Sequence, residues 1–401
     1  MRLSDPRAVL VTLGLLSAGA CHLSLGLEEL SFRGASGGGS GGAGGEVANT
    51  SASGGASGTA TTSTGTTSAT GTGGVGGAGG ASTVASGGGA SSTAATGGGG
   101  AGGVEVPPSC LVLPASCGPN ADEDCCASLL VPGGTFKRLN DGKYPATLSA
   151  FRLDRFEVTV GRFRSFVLAS VNGFVPAAGS GKHEHLSGGG IQGELGWKDA
   201  WSAQLPTTDA GWSAALACPQ LESDKATWTP APLTKEFLPI NCASWLHAQA
   251  FCIYDGGFLP SEAEWSLAAT GGGTMQRSYP WGAAAPTASH AVYECNGNTA
   301  DMGCTPSDIL PVGSRPLGDG AHGHADLGGG IFEWVLDAFA SALPTPCTNC
   351  AALGELGQGV MHGGSWSFQA AKMKNSDRYE LSKAATSSST GFRCARAPLP
   401  E

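Results

Sequence analysis

The sequence predicts an α+β domain with few regular elements and much coil, carried behind a long flexible tether. Three observations carry this reading. Glycine is concentrated: 28 of the 66 glycines lie in the 70 residues from Gly34 to Gly103. From Gly34 to Gly103 the chain is almost entirely Gly, Ala, Ser and Thr, with Glu46 its only charge. Residues 34–105 are therefore read as a disordered linker, because such a segment has too little apolar surface to offset the entropy of ordering. Beyond it, residues 130–398 hold only a few well-marked helix starts separated by long irregular stretches. Thirteen cysteines complete the picture, since a loop-rich fold is held by cross-links.

Taken in chain order, Leu130–Val131 reads as a short strand. Phe151 and Leu153, then Phe156 and Val158, alternate as a strand does. Thr159 is a helix cap, and Val160, Phe163, Phe166 and Val167 fall on one helical face behind it. Trp197, Trp201, Trp212 and Trp228 are spread through a stretch read as irregular. Ser244 caps a second helix that ends at Gly256–Gly257, and Ser261 with Glu264 forms the capping box of a third. Glu262 and Glu264 are explained by that helix N-terminus, which favours negative charge, rather than as a catalytic pair. Short strands are expected around Val312 and Phe392–Ala395.

At the N-terminus, Arg2 and Arg7 precede an apolar run from Ala8 to Ala20 that is too short to span a bilayer. Residues 1–20 read as a signal peptide. Cys21 follows Ser-Ala-Gly-Ala, which resembles a bacterial lipobox with Ala18 in place of the usual Leu. The expectation is lipidation at Cys21, a mature N-terminal segment 21–33, and a membrane-anchored or secreted extracytoplasmic protein. A Gly-rich tether of this length would span roughly 45 Å. The twelve remaining cysteines suggest disulfides. Local pairs are plausible within Cys110, Cys117, Cys125 and Cys126 (a cysteine-rich segment, 106–129), for Cys295 with Cys304 and for Cys347 with Cys350. Cys218, Cys242, Cys252 and Cys394 would make longer bonds of open connectivity. A formal charge of −10 with no basic stripe argues against nucleic acid.

Eight segments in order, "EVTVGRF", "NCASWLHAQAFC", "LPSEAEW", "YPWG", "PVGSRP", "GIFEWVLD", "GGSW" and "GFRCAR", resemble the formylglycine-generating enzymes and their sulfatase-modifying-factor relatives. The resemblance covers 130–398. It implies a variant of the C-type-lectin-like fold and, in catalytic members, oxidation of a substrate Cys with copper and oxygen. It also implies that Cys394 is a disulfide position. Cu(I) prefers sulfur ligands, and in catalytic members two cysteines follow the GGS[WY] turn. Here Phe368 and Met373 hold those places, and no cysteine occurs between Trp366 and Cys394. Phe368 has no donor, Met373 has only a thioether, and Lys372 and Lys374 beside it repel a cation. Copper is therefore not expected, although the overall likeness implies it.

The resemblance further implies calcium. Asp326, Gly329, Ile331 and Glu333 match a calcium loop, the first and last through side chains and the middle two through carbonyls, as a hard oxygen-seeking cation requires. Gly330 stands where the family usually has Asn. Asn296, with the Gly297 carbonyl, is the candidate for a second calcium, with Asp301 or Asp308 nearby. His362 replaces the usual basic residue before the glycine pair and reads as a polar turn residue. His183/His185 and His322/His324 are H-x-H pairs without a convincing third ligand, and Cys347/Cys350 reads as a small loop disulfide. Three functions compete: a tethered binding or scaffolding module taking an extended peptide or surface ligand in its groove, an active formylglycine-generating oxidase, and an enzyme of different metal-dependent chemistry on the same fold.

Overall fold

Three capped helices anchor the fold. In α1 (Val160–Val171), the Thr159 side chain accepts from the Arg162 amide. Two short helices follow, α2 (Asp199–Ser202) and α3 (Asp209–Ala215). α4 (Trp245–Tyr254) and α5 (Glu262–Thr270) each start with a capping box, on Ser244/His247 and Ser261/Glu264. Both are buried on nearly every side, as helices without a polar face must be. The computed structural model describes residues 106–111, 116–298 and 303–400. Cys21, the apolar run before it, the linker and Asp301 lie outside the described residues.

Ten short strands form three sheets among these residues: β1 (Ser128–Val131), β2 (Gly134–Lys137), β3 (Pro145–Leu148), β4 (Phe151–Asp154), β5 (Phe332–Ala338), β6 (Cys347–Thr348), β7 (Gln358–His362), β8 (Tyr379–Ser382), β9 (Thr390–Gly391) and β10 (Ala395–Arg396). Their orders are β1-β4-β10, β2-β3-β6 and β8-β7-β5-β9. β5 is the central strand of the third sheet, antiparallel to β7 and parallel to β9. Its side chains alternate between two cores. Phe332, Trp334 and Leu336 join a core built around α1, α3 and α4, while Val335 joins one around α5, β3 and β4. In the first core Phe163 stacks on Phe251, with centroids 5.6 Å apart, and meets Trp212 edge-on at 5.8 Å.

Several expectations are corrected. Phe156 and Val158 are core residues but not strand, because the Val158 amide is taken by the Phe392 carbonyl beyond the end of β4. Val312 lies in coil, its amide bonded to the Phe237 carbonyl. Trp201 and Trp212 sit on helices, whose turns are too few to leave a periodic signal. The twelve described cysteines pair as 110–126, 117–125, 218–242, 252–394, 295–304 and 347–350. Among the described residues, no helix is long and apolar enough to cross a membrane.

Candidate functional site

β7 runs into the glycine turn that the sequence singles out. Gly363 and Gly364 have φ of +97° and +79°, a region where L side chains are strained. A Cβ on Gly364 would lie 2.7 Å from Met373 Cγ, so the turn also needs the space. Trp366, buried, donates from its ring to the Ser388 carbonyl at 3.2 Å, and its amide bonds the Gly330 carbonyl at 2.7 Å. The Trp366 and Phe368 carbonyls accept from the Cys295 and Glu294 amides. The turn is thus tied to the two loops that were expected to hold calcium.

The two positions at which the resemblance implies thiols differ in their surroundings. Phe368 is 41% exposed and meets Phe332 edge-on at 5.0 Å, whereas Met373 is 1% exposed, beneath Gly364. Phe332 in turn contacts Tyr379, over which Lys372 places its ammonium at 5.1 Å. A phenyl ring and a single buried thioether do not make the sulfur pair that suits Cu(I). Every described cysteine is held in a disulfide, so none of them offers a thiolate in its place.

The expected calcium donors are also partnered in another way. Both Glu333 oxygens accept from Arg393, Oε2 from Nε at 2.7 Å and Oε1 from Nη2 at 2.6 Å, and Oε2 takes the Trp265 ring N–H as well. The Asn296 side chain accepts from the Tyr293 amide at 3.0 Å, and the Gly297 carbonyl faces Arg315 Nη2 at 3.4 Å. Asp308 accepts from the Asn298 and Thr305 amides. Arg393 on Glu333 and Arg315 at the Gly297 carbonyl thus place positive charge beside two of the expected donors.

Asp326 stands apart from this pattern. Its Oδ2 accepts from the Gly313 amide at 2.5 Å, and it shares a cavity of about 10 Å³ with Glu157. That is room for about one water or ion. Glu157, fully buried, accepts from the Ile331 amide at 3.0 Å. Burial, then Asp326 and Glu333, push its carboxyl well above the usual range. Three carboxylates therefore share one guanidinium, Arg393. Sequence reasoning did not pick Glu157, because it lies 169 residues before Asp326. Trp366 and Arg393 are both buried.

Behind the turn lies a second ionic cluster. His362 is buried, not a surface turn residue: its ring stacks on Trp265 and its Nε2 meets Glu262 Oε1 at 3.0 Å. Arg378 bonds both Glu262 oxygens. Burial opposes the Glu262 charge, but His362 and then Arg378 outweigh it and bring the carboxyl to about 2. Glu264 closes its capping box and also meets His183 Nε2 at 2.9 Å, while His183 Nδ1 meets Glu194 at 2.9 Å. Burial works against the His183 charge, yet Glu264 and Glu194 hold its pKa at about 10. In the H-x-H pairs the ring centroids are 6.2 Å and 6.4 Å apart, and no cluster of three metal-binding side chains occurs among the described residues.

Residues 114–398 match the sulfatase-modifying factor enzyme 1-like domain. The formylglycine-generating enzyme of Thermomonospora curvata is 29% identical over 304 residues, covering 67% of this chain and 93% of that protein. The hercynine oxygenase of Mycolicibacterium thermoresistibile is 28% identical over 210 residues. The match covers 49% of this chain, and the chain spans only 38% of that relative's length. Among solved structures, PvdO from Pseudomonas aeruginosa aligns with a TM-score of 0.45 at 18% identity, over 71% of this chain and 99% of that one. With its irregular, loop-rich α+β architecture, this chain belongs to the sulfatase-modifying factor family.

Proposed function

We propose that this domain keeps the frame of a formylglycine-generating enzyme and acts as a binding or scaffolding module, exported and tethered to a bacterial membrane through Cys21 and the linker. The carrying observation is the turn after β7, where Phe368 and Met373 stand in the thiol positions while every described cysteine is paired. The exposed Phe368, beside Phe332 and Tyr379, supports a surface that takes an extended peptide or another surface ligand. The relatives' names keep the oxidase reading in play as the alternative. Purified protein incubated with Cu(I) and a Cys-x-Pro-x-Arg peptide separates the two. Less than about a tenth of an equivalent of bound copper and no loss of peptide thiol is the expected result; stoichiometric copper with aldehyde formation would overturn it.

A cation reading is retained with changed donors. Asp326 and Glu157 supply two carboxylates around a space of one-ion size, and a calcium ion there would relieve the excess of negative charge beside Arg393. Calcium is then expected to raise the melting temperature by about 2–4 °C per kcal/mol of binding energy, and chelation to reverse the rise. Glu157→Gln should abolish the calcium-dependent part alone. A melting temperature indifferent to both calcium and chelator would mean that Glu157 relieves the repulsion by holding a proton instead.

A further inference from the structure

A second cavity lies at the far end of the same sheet face. Tyr379 and Leu381 point to one side of β8, and Lys383 follows in the same period. Four residues separate Lys383 from Tyr379, about 13 Å at ~3.3 Å per residue, so the cavity is distinct from the Phe368 surface. Its volume is about 280 Å³, and Trp201, Trp245, Gln249, Leu336, Leu353 and Lys383 line it. The two tryptophans meet at right angles with centroids 5.6 Å apart. Lys198 and Glu355, also lining it, pair at 2.5 Å.

Two polar groups in this cavity, on Lys383 and Gln249, keep unused hydrogen-bonding capacity. Lys383 is 1% exposed, with its ammonium 4.0 Å from the Trp245 ring centroid and one long hydrogen bond, 3.5 Å, to the Leu336 carbonyl. An ammonium has three donors, so this leaves capacity for an acceptor. Gln249, also 1% exposed, gives its amide N–H to Gly181 at 3.5 Å and leaves Oε1 without a partner. The nearby carboxylates are engaged elsewhere. Asp337 accepts from the Glu262 and Ala352 amides, Glu355 holds Lys198, and Glu194 holds His183. Burial pushes the Lys383 ammonium down to about 8, with Asp337 and Glu355 opposing. A buried cation without an ion-pair partner and a buried acceptor without a donor, lining one cavity, are groups that a ligand can complete.

We propose that this cavity binds a small organic carboxylate. Its carboxylate pairs with Lys383 Nζ, an adjacent N–H or O–H donates to Gln249 Oε1, and its apolar body lies against Trp201 and Trp245. The size favours a free small molecule over a longer chain, since 280 Å³ is at the low end of ligand cavities. The inference does not depend on whether the glycine turn is an oxidase.

The test is calorimetric titration of the intact chain with N-acetyl-glycine, N-acetyl-leucine and N-acetyl-phenylalanine, and with the corresponding amides, which lack the charge. At least one acid should bind below about 10 mM, and its amide should bind at least about tenfold more weakly. Lys383→Met and, separately, Gln249→Met should each weaken the acid by about tenfold or more with near-ultraviolet circular dichroism unchanged. Binding should also weaken as pH rises through about 8, as Lys383 loses its proton. A peptide ending in the best residue should bind less well than the free acid. The proposal falls if no acid binds in that range, if acid and amide bind alike, if the peptide binds better, or if neither variant changes the affinity.

Discussion

Replacing Arg393 by methionine is expected to cost the domain about 3–5 kcal/mol or more, a large part of the roughly 5–15 kcal/mol that holds a typical domain folded. Arg393 is fully buried and closes a network from strands far apart in sequence. Besides its two bonds to Glu333, it donates from Nη1 to the Asp154 and Arg155 carbonyls at 3.1 Å and 2.8 Å, and from Nη2 to the Ala325 carbonyl at 2.9 Å. Methionine fills the space of the stem but removes all five of these bonds, leaving the Arg155 carbonyl with only the Ala325 amide and Glu333 with only the Trp265 ring N–H, beside Asp326 and Glu157. Breaking one side of such a pair costs more than the pair itself contributes. Urea unfolding followed by circular dichroism measures the loss. Adding Glu333→Gln to Arg393→Met should recover part of it, because the uncompensated charge is then gone. A single variant within about 1 kcal/mol of the parent would show that the network is not what holds β5 against β4.

Stability should also fall as the solution is made alkaline, and His183 is the reason. Its pKa is about 10 in the folded state against 6.5 for the free side chain. The raised value means that the folded state binds the proton more tightly. Its contribution is thus complete below 6.5 and is lost as pH rises toward and through 10, by at most about 5 kcal/mol. The ring is fully buried between Glu194 and Glu264, with His185 as the other titratable neighbour, so solvent screening is small. Lys383, lowered to about 8, contributes with the opposite sign because its penalty is relieved above that pH. The diagnostic is therefore the difference between the parent and His183→Gln. Melting temperatures of the two should converge between pH 7 and pH 10, and parallel curves across that interval would rule His183 out as the source.

The helices were legible because their signals are local. Thr159, Ser244 and the Ser261/Glu264 pair lie within a turn of the amides they cap, and the structure places all three as read. The framework of the family was legible from eight short segments. What could not be read are the interactions closed across the chain. Glu333 meets Arg393 60 residues away, and Glu157 meets the Ile331 amide 174 residues away. A loop match can align Glu333 with a ligand position but cannot show that a guanidinium pairs with it. His362 failed for a similar reason: its partner, Glu262, lies 100 residues earlier, and the helix dipole already explained that carboxylate. Lys383 carried a weak signal, since alternation from Tyr379 and Leu381 points it inward, but a lysine among serines and alanines reads as surface.

The Cys252–Cys394 bond encloses 142 residues and joins α4 to the segment between β9 and β10. Within that span lie β5, the glycine turn, the Asp326 loop, the second ionic cluster and the Lys383 cavity's sheet wall. A protease that nicks the exposed chain near Leu353–Leu356 therefore does not release a fragment. Both pieces remain one covalent molecule, and their strands still have partners to hold. The integrity of the domain after such a cut therefore depends on the redox state of its surroundings more than on the continuity of its backbone.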